Sequence, residues 1–166
     1  VSVVDFVKAH TPWAIRRVSR NIKRQLRWAF NARQPVSKVF EDVYGRNLWG
    51  GEQGSFYSGP GSDSHAASRY AEGIRDLIAD RSIRSVVDLG CGDFRVARMF
   101  LNDDITYTGV DIVQPLVHQN VAKYRSDKVD FACLDIIEDR LPEGELCLIR
   151  EVFQHLANAQ ILKVIP

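Results

Sequence analysis

Gly90-Cys91-Gly92, Asp111 and Asp135 are residues whose types and spacing could do chemistry together. Gly90 and Gly92 remove two Cβ atoms from a short run, which lets a ligand approach backbone N–H groups where a strand turns into a helix. Asp111 lies 19 positions beyond Gly92, close to the ~20-residue offset at which an acid meets ribose hydroxyls in nucleotide-binding sheets. Asp135 offers a carboxylate that, when ionised, only accepts, and so suits an exocyclic amine. Each feature also has a plainer use, since Gly-x-Gly is often only a turn and Asp at a strand end is often a helix cap. Their recurrence at three consecutive strand ends favours a ligand containing a nucleoside.

The elements that must position these residues follow from the apolar pattern. Val86-Val87-Asp88-Leu89, Tyr107-Thr108-Gly109-Val110, Val129 to Leu134 and Leu146-Cys147-Leu148-Ile149 are short apolar runs with turn residues behind them. Helical stretches are expected between and after them, around 94–102, 115–125, 137–140 and 152–165. A helix is also expected over 36–44, and another over about 64–80 with Asp63 or Ser64 as its cap. Strands alternating with helices predict right-handed βαβ units and a parallel sheet. In such a sheet a ligand binds outside the carboxyl ends of the strands, where all three features fall. Between the first two helices, residues 49–62 are rich in Gly and Ser and read as a loop, either a lid or a connector. A dinucleotide fingerprint would need glycine at position 95, where the chain has Arg95, and no phosphate-cradling Gly-x-x-x-x-Gly-Lys-Ser/Thr run occurs.

The 166 residues carry 22 basic and 21 acidic side chains and are 45% apolar, which excludes collagen-like, disordered and membrane-spanning classes. Cys91, Cys133 and Cys147 form neither a zinc pattern nor an even-numbered disulfide framework, so a reducing cytoplasm is expected. The charge is uneven. Residues 1–35 hold eight basic side chains and one acid, with Ile15, Val18, Ile22, Leu26 and Ala29 along one side of an expected helix. This basic amphipathic extension would dock on its own acidic domain, on a second subunit, or peripherally on an anionic membrane surface. Nucleic acid is not favoured, because no aromatic stacking module accompanies the basic residues. The domain boundaries read as 1–35 for the extension and 36–166 for the rest.

The runs Val86-Val87-Asp88-Leu89-Gly90-Cys91-Gly92-Asp93-Phe94, Tyr107-Thr108-Gly109-Val110-Asp111-Ile112 and Phe131-Ala132-Cys133-Leu134-Asp135-Ile136 resemble the first three motifs of class I S-adenosylmethionine-dependent methyltransferases. Leu148 to Leu156 resembles the segment after that family's fourth strand, and Trp49-Gly50-Gly51 with Ser58-Gly59-Pro60-Gly61-Ser62 looks like a cofactor-covering lead-in. The resemblance covers about residues 40–166. It implies an α/β, Rossmann-like parallel sheet in the order 3-2-1-4 with helices on both faces and the N-terminal helical extension outside it. The C-terminal strands of the usual seven-stranded sheet are absent. It further implies S-adenosyl-L-methionine as cofactor, with Gly90, Cys91 and Gly92 passing its methionine portion and Asp88 orienting its amino group. Asp111 would bind the ribose hydroxyls with Ile112 against the adenine, and Asp135 would meet the adenine amine with Ile136 nearby. Arg150 and Glu151 would line the passage between cofactor and acceptor. Phe94 departs from the family pattern, standing where many members have a third glycine and threatening to crowd the methionine tail.

Methyl transfer from a sulfonium is an in-line displacement in which alignment and polarisation can supply most of the acceleration. A general base helps only where the acceptor must lose a proton. His155, expected to open the helix after the fourth strand, is the candidate, with His65 behind it; a surface or capping role is the plainer reading of His155, and Tyr57 would either gate the cofactor or anchor the loop. The acceptor is expected to be a small molecule. The alternatives are an NAD-type oxidoreductase fragment, disfavoured by Arg95, and a non-catalytic nucleoside-binding module. Because the chain stops after its fourth strand, either it is a fragment or the apolar edge at 146–149 is covered by a partner or by a second copy in a homo-oligomer. If the extension binds lipid, the isolated 1–35 peptide gains helical circular dichroism with anionic vesicles; an unchanged spectrum contradicts that role.

Overall fold

The computed structural model describes residues 34–52 and 54–165. The chain divides into two compact units, residues 1–39 and 40–166, where the sequence places a boundary at 35/36. The expected basic helix of residues 1–35, and with it the membrane-surface expectation, lies outside the described residues but for Gln34 and Pro35. No helix among the described residues is long and apolar enough to cross a membrane.

Four strands form one parallel sheet: β1 (Ser85–Leu89), β2 (Thr106–Asp111), β3 (Val129–Cys133) and β4 (Leu146–Ile149), in the order β3-β2-β1-β4. The α/β, Rossmann-like class and the 3-2-1-4 order expected from the sequence are therefore observed. Val86, Val87 and Leu89 are all buried, as a strand covered on both faces requires. Pairing Val86 with Tyr107 and Leu146, and Asp88 with Gly109 and Leu148, sets the register and brings the carboxyl ends of all four strands to one rim.

The helices are α1 (Val36–Gly45), α2 (His65–Arg81), α3 (Gln114–Tyr124) and α4 (Asn158–Val164). Ser64 caps α2 by accepting from the Ala67 N–H at 3.2 Å, and Ser82 closes it in a left-handed conformation. Pro115 stands in the first turn of α3, where its missing N–H costs nothing. Both α2 and α3 feed the main core, in which Ala71, Ile78 and Val117 pack with Val86, Phe94, Phe100, Tyr107, Phe131 and Leu148. On the other face, Val87, Leu89 and Val110 are covered by Leu134, Ile136, Leu141 and Ile149. A third cluster joins Phe40, Tyr44, Trp49 and Phe56 to Ile112, Val113 and Leu116.

Three expected helices differ. Residues 94–102 contain only a 3-10 turn, Ala97–Met99, and Phe94, left-handed at φ +63°, stands outside any helical turn. The three-residue spacing of Phe94, Ala97 and Phe100, all buried, serves a 3-10 turn as well as a helix. Residues 137–140 make a single turn, in which Asp135 accepts from the Ile137 N–H at 2.9 Å and Asp139 accepts from the Asp135 N–H at 2.8 Å. Pro142 then bars Leu141 from continuing it. Residues 152–165 split into a 3-10 turn, Phe153–His155, and α4. Leu156 and Ala157 between them are extended, and the Gln160 side chain accepts from the Ala157 N–H at 2.8 Å.

Gly109 lies at the centre of the aromatic core. A Cβ built there would stand 2.8 Å from the Phe131 ring and 2.9 Å from the Cys91 sulfur. Gly109→Ala is expected to lower stability by about 1–3 kcal/mol through overpacking, read as a lower midpoint in urea unfolding.

Candidate functional site

The turn after β1 is bound to the tip of β2. Gly90 and Gly92 have φ of +81° and +57°, a region glycine enters at no steric cost. The N–H groups of Gly90 and Cys91 both donate to the Val110 carbonyl, at 2.8 and 3.0 Å. The Gly92 N–H donates to Asp111 Oδ2 at 3.0 Å, and the Val113 N–H to Asp111 Oδ1 at 3.1 Å. Asp111 is 8% exposed. Burial pushes its carboxyl above the ordinary range, while the N–H groups of Val113, Gly92 and Ile112 act in the opposite direction. Beyond these N–H groups the two oxygens keep acceptor capacity for a ligand hydroxyl.

Asp88 accepts from the Tyr107 hydroxyl at 2.9 Å. Burial, partly offset by that hydrogen bond, raised further by Asp111 and opposed by Arg150, pushes its carboxyl up to about 6. Two acids at the ends of adjacent strands make this turn a place of negative potential when ionised, which suits a cationic ligand. Cys91 turns its sulfur toward the core beside Gly109, and burial pushes its thiol well up, so it offers the site backbone rather than sulfur. Phe94 corrects an expectation. Its ring lies in the core, 5.1 Å from Tyr107, 5.2 Å from Tyr124 and 5.0 Å from Phe131, so it does not crowd a methionine tail.

The segment before α2 closes over the same turn. Ser58 Oγ accepts from the Asp93 N–H at 2.8 Å and meets the Tyr44 hydroxyl at 2.9 Å, while the Ser58 N–H donates to Asp93 Oδ2 at 3.3 Å. A Cβ on Gly92 would stand 2.3 Å from Ser58 Oγ, and one on Gly90 2.3 Å from Val152 Cγ2. Arg150, expected to line a passage, donates to the Gly61 carbonyl and to Glu151 Oε1, both at 2.9 Å, and lies 5.3 Å from the Tyr70 ring centre. Glu151 itself is left-handed at φ +57°. Tyr57 donates to Asp63 at 3.0 Å beneath the Arg95 guanidinium, which is the loop-anchoring role.

The candidates are thus brought together unequally. Asp88, Gly90, Cys91, Gly92 and Asp111 form one connected group. Asp135 is engaged in its own turn. Ile112 packs with Tyr44 and Leu116, whereas Ile136 packs with Leu89 and Val110 in a different cluster. His155 does not open a helix; it ends the 3-10 turn, with ring centres 5.5 Å from Phe40 and 5.9 Å from Trp49. Desolvation lowers its pKa against the pull of Glu151, which keeps it neutral at pH 7. His65 is exposed at the start of α2. The sequence reading missed Asn120, which is 0% exposed and donates to the Gly92 carbonyl at 2.8 Å. Its signal was a polar residue continuing the helical stripe of Val113, Leu116 and Val117.

Comparison with known proteins places this geometry in a fold. No family model matches the chain, and no curated protein matches it. Among solved structures it is similar to magnesium protoporphyrin IX methyltransferase (ChlM) from Synechocystis PCC 6803 with bound SAM, at 17% identity and a TM-score of 0.56, covering 81% of this chain and 70% of that one. The same enzyme with bound SAH gives 18%, 0.54, 78% and 64%. The methyltransferase domain of bacterial CtHen1-C gives 15%, 0.51, 58% and 56%. The chain has the fold of class I S-adenosylmethionine-dependent methyltransferases. It spans about half the length of the Hen1 domain and about two thirds of the ChlM chain.

The residues fit such a cofactor through their carboxylates, Asp111 beside the glycine turn and Asp88 for a positive charge; the N–H groups of Gly90, Cys91 and Gly92, expected to meet a ligand, are instead taken by the Val110 carbonyl and by Asp111. Ser58 and Val152 stand directly over the two glycines, so the tail of the cofactor enters only as they move aside. Asp88 also affects stability. Its folded pKa of about 6 lies above the ordinary 3.8, so the folded state binds the extra proton and stability falls as pH rises between those values. Asp88→Asn is expected to remove that slope and to be the more stable protein at pH 8, by up to roughly 3 kcal/mol. Urea unfolding at pH 4.5 and pH 8, values set on either side of about 6, measures both.

Proposed function

We propose that the chain is the cofactor-binding part of an S-adenosyl-L-methionine-dependent methyltransferase acting on a small-molecule acceptor. The observation that supports this best is the Asp111 carboxylate, buried at the tip of β2, joined to the glycine turn and retaining acceptor capacity for a ligand hydroxyl. When bound, the cofactor supplies an electrophilic methyl group on a sulfonium. Asp111 takes the ribose hydroxyls. The backbone of Gly90, Cys91 and Gly92 faces the methionine portion, and ionised Asp88 favours its positive charge. Ile112, Asp135 and Ile136 are assigned to the adenine; the Leu134 N–H donates to the Asp111 carbonyl at 3.1 Å, so this segment lies beside the end of β2.

Glu151 and Arg150 stand on the acceptor side, and neutral His155 is the group that can receive a proton from an acceptor. Arg150 connects the two halves of the site, because its hold on the Gly61 carbonyl keeps the lead-in shut. The chain is assigned to the cytoplasm, from its three free cysteines.

Calorimetric titration with S-adenosylmethionine, S-adenosylhomocysteine and NAD tests the reading. Saturable binding of the first two is expected, and binding of NAD alone overturns it. Asp111→Asn is expected to weaken both by at least about tenfold, since hydrogen bonds to a charged group contribute ~1.5–3 kcal/mol. Affinity for the cationic S-adenosylmethionine is further expected to fall as pH drops below about 6, where Asp88 takes up its proton. Radiolabelled methyl transfer into a cell extract identifies the acceptor.

A further inference from the structure

The two polar groups of Gly92 are both met by side chains from elsewhere. Its N–H goes to Asp111 at the end of β2, and its carbonyl receives Asn120 Nδ2 from the third turn of α3. Asn120 is fully buried, and its own Oδ1 has no hydrogen-bond partner among the described residues. An unmet buried acceptor is unfavourable, and neighbouring Leu116 and Val117 show that an apolar side chain is readily buried on this helix. For stability alone, leucine would serve as well at position 120. What leucine could not do is hold a carbonyl.

We propose that Asn120 is a positioning residue for the cofactor: it fixes the Gly92–Asp93 peptide while Asp111 fixes the Cys91–Gly92 peptide, so that the turn keeps one path beside the ligand. This rests on the S-adenosylmethionine reading above. The geometry is of a clamp. Gly92 adopts a left-handed conformation that, lacking a side chain, it could leave easily. Asp111 holds one side of it and is itself to bind the ribose. With Asn120 on the other side, a shift of the turn can no longer take place without breaking a buried hydrogen bond. The ribose site and the methionine site are thereby kept at a set separation.

The test uses the whole chain, with Asn120→Leu and Asn120→Asp. Asn120→Leu removes the donor and the unmet acceptor at similar volume. It is expected to keep or raise the thermal midpoint while weakening S-adenosylmethionine and S-adenosylhomocysteine alike by about tenfold. Asn120→Asp supplies an O–H donor to the Gly92 carbonyl only when protonated, so its affinity relative to wild type is expected to recover toward acid pH. Asp88, Asp93, Asp111, Cys91 and Tyr44 face the same turn in both proteins, so the ratio sets the turn with the new carboxyl against the turn without it. The ratio is read only where circular dichroism shows the Asn120→Asp chain fully folded, so that recovery reports the turn and not the folding equilibrium.

Wild-type affinity in a folded Asn120→Leu, or a flat ratio for Asn120→Asp, overturns the assignment while leaving the cofactor reading intact. Should Asn120→Leu fail to fold, the Asn120→Asp ratio decides. If the wild-type chain binds neither ligand, the cofactor reading falls and the assignment with it.

Discussion

The hydrogen bond from the Gly92 N–H to the Asp111 carboxylate ties the turn after β1 to the tip of β2, and most of the upper rim is arranged around it. It explains why a carboxylate is tolerated at 8% exposure: backbone N–H groups from both sides compensate the lost water. The other Asp111 oxygen takes the Val113 N–H just before α3, so the same side chain also governs how the chain leaves the strand. Turn, strand end and helix start are held by one functional group. Binding a ligand at Asp111 therefore acts on three elements at once.

Around this centre the lead-in makes its own set of attachments. Ser58 is exchanged with Asp93 through both backbone and side chain, Arg150 reaches the Gly61 carbonyl, and Tyr57 with Arg95 secures Asp63. These contacts are polar and partly exposed, in contrast to the aromatic core beneath β1 and β2. Opening the lead-in breaks hydrogen bonds that water can replace. Opening the core would not be so easily compensated.

The strands, their order and the glycine turn were legible because alternating buried runs and turn residues express a parallel sheet directly. Val86, Val87 and Leu89 could hardly be anything but a central strand. Less legible were the connections. Phe94, Ala97 and Phe100 satisfy helical spacing as well as 3-10 spacing, and only the left-handed backbone at Phe94 distinguishes them. Likewise Asp135 reads as a strand-end carboxylate open to a ligand, whereas its side chain accepts from the Ile137 N–H and its own N–H is taken by Asp139. For the site, residue types at strand ends pointed to Gly90, Gly92, Asp111 and Asp135, and the resemblance added Asp88. Asn120 escaped because a single polar residue within an apolar stripe names no partner. Arg150 was noticed, yet its partner, the Gly61 carbonyl, lies 89 residues away in the chain.

Phe94 has a wider bearing on how such chains are recognised. Its backbone makes the left-handed bend for which glycine is the easy choice, while its ring occupies space among Tyr107, Tyr124 and Phe131 that glycine would leave empty. Local comfort and interior volume are in conflict at that position, and volume has prevailed. A signature that counts glycines passes over this residue, although its backbone makes the bend for which glycine is the usual choice. At such a position the torsion angle, more than the residue type, carries the shape of the turn.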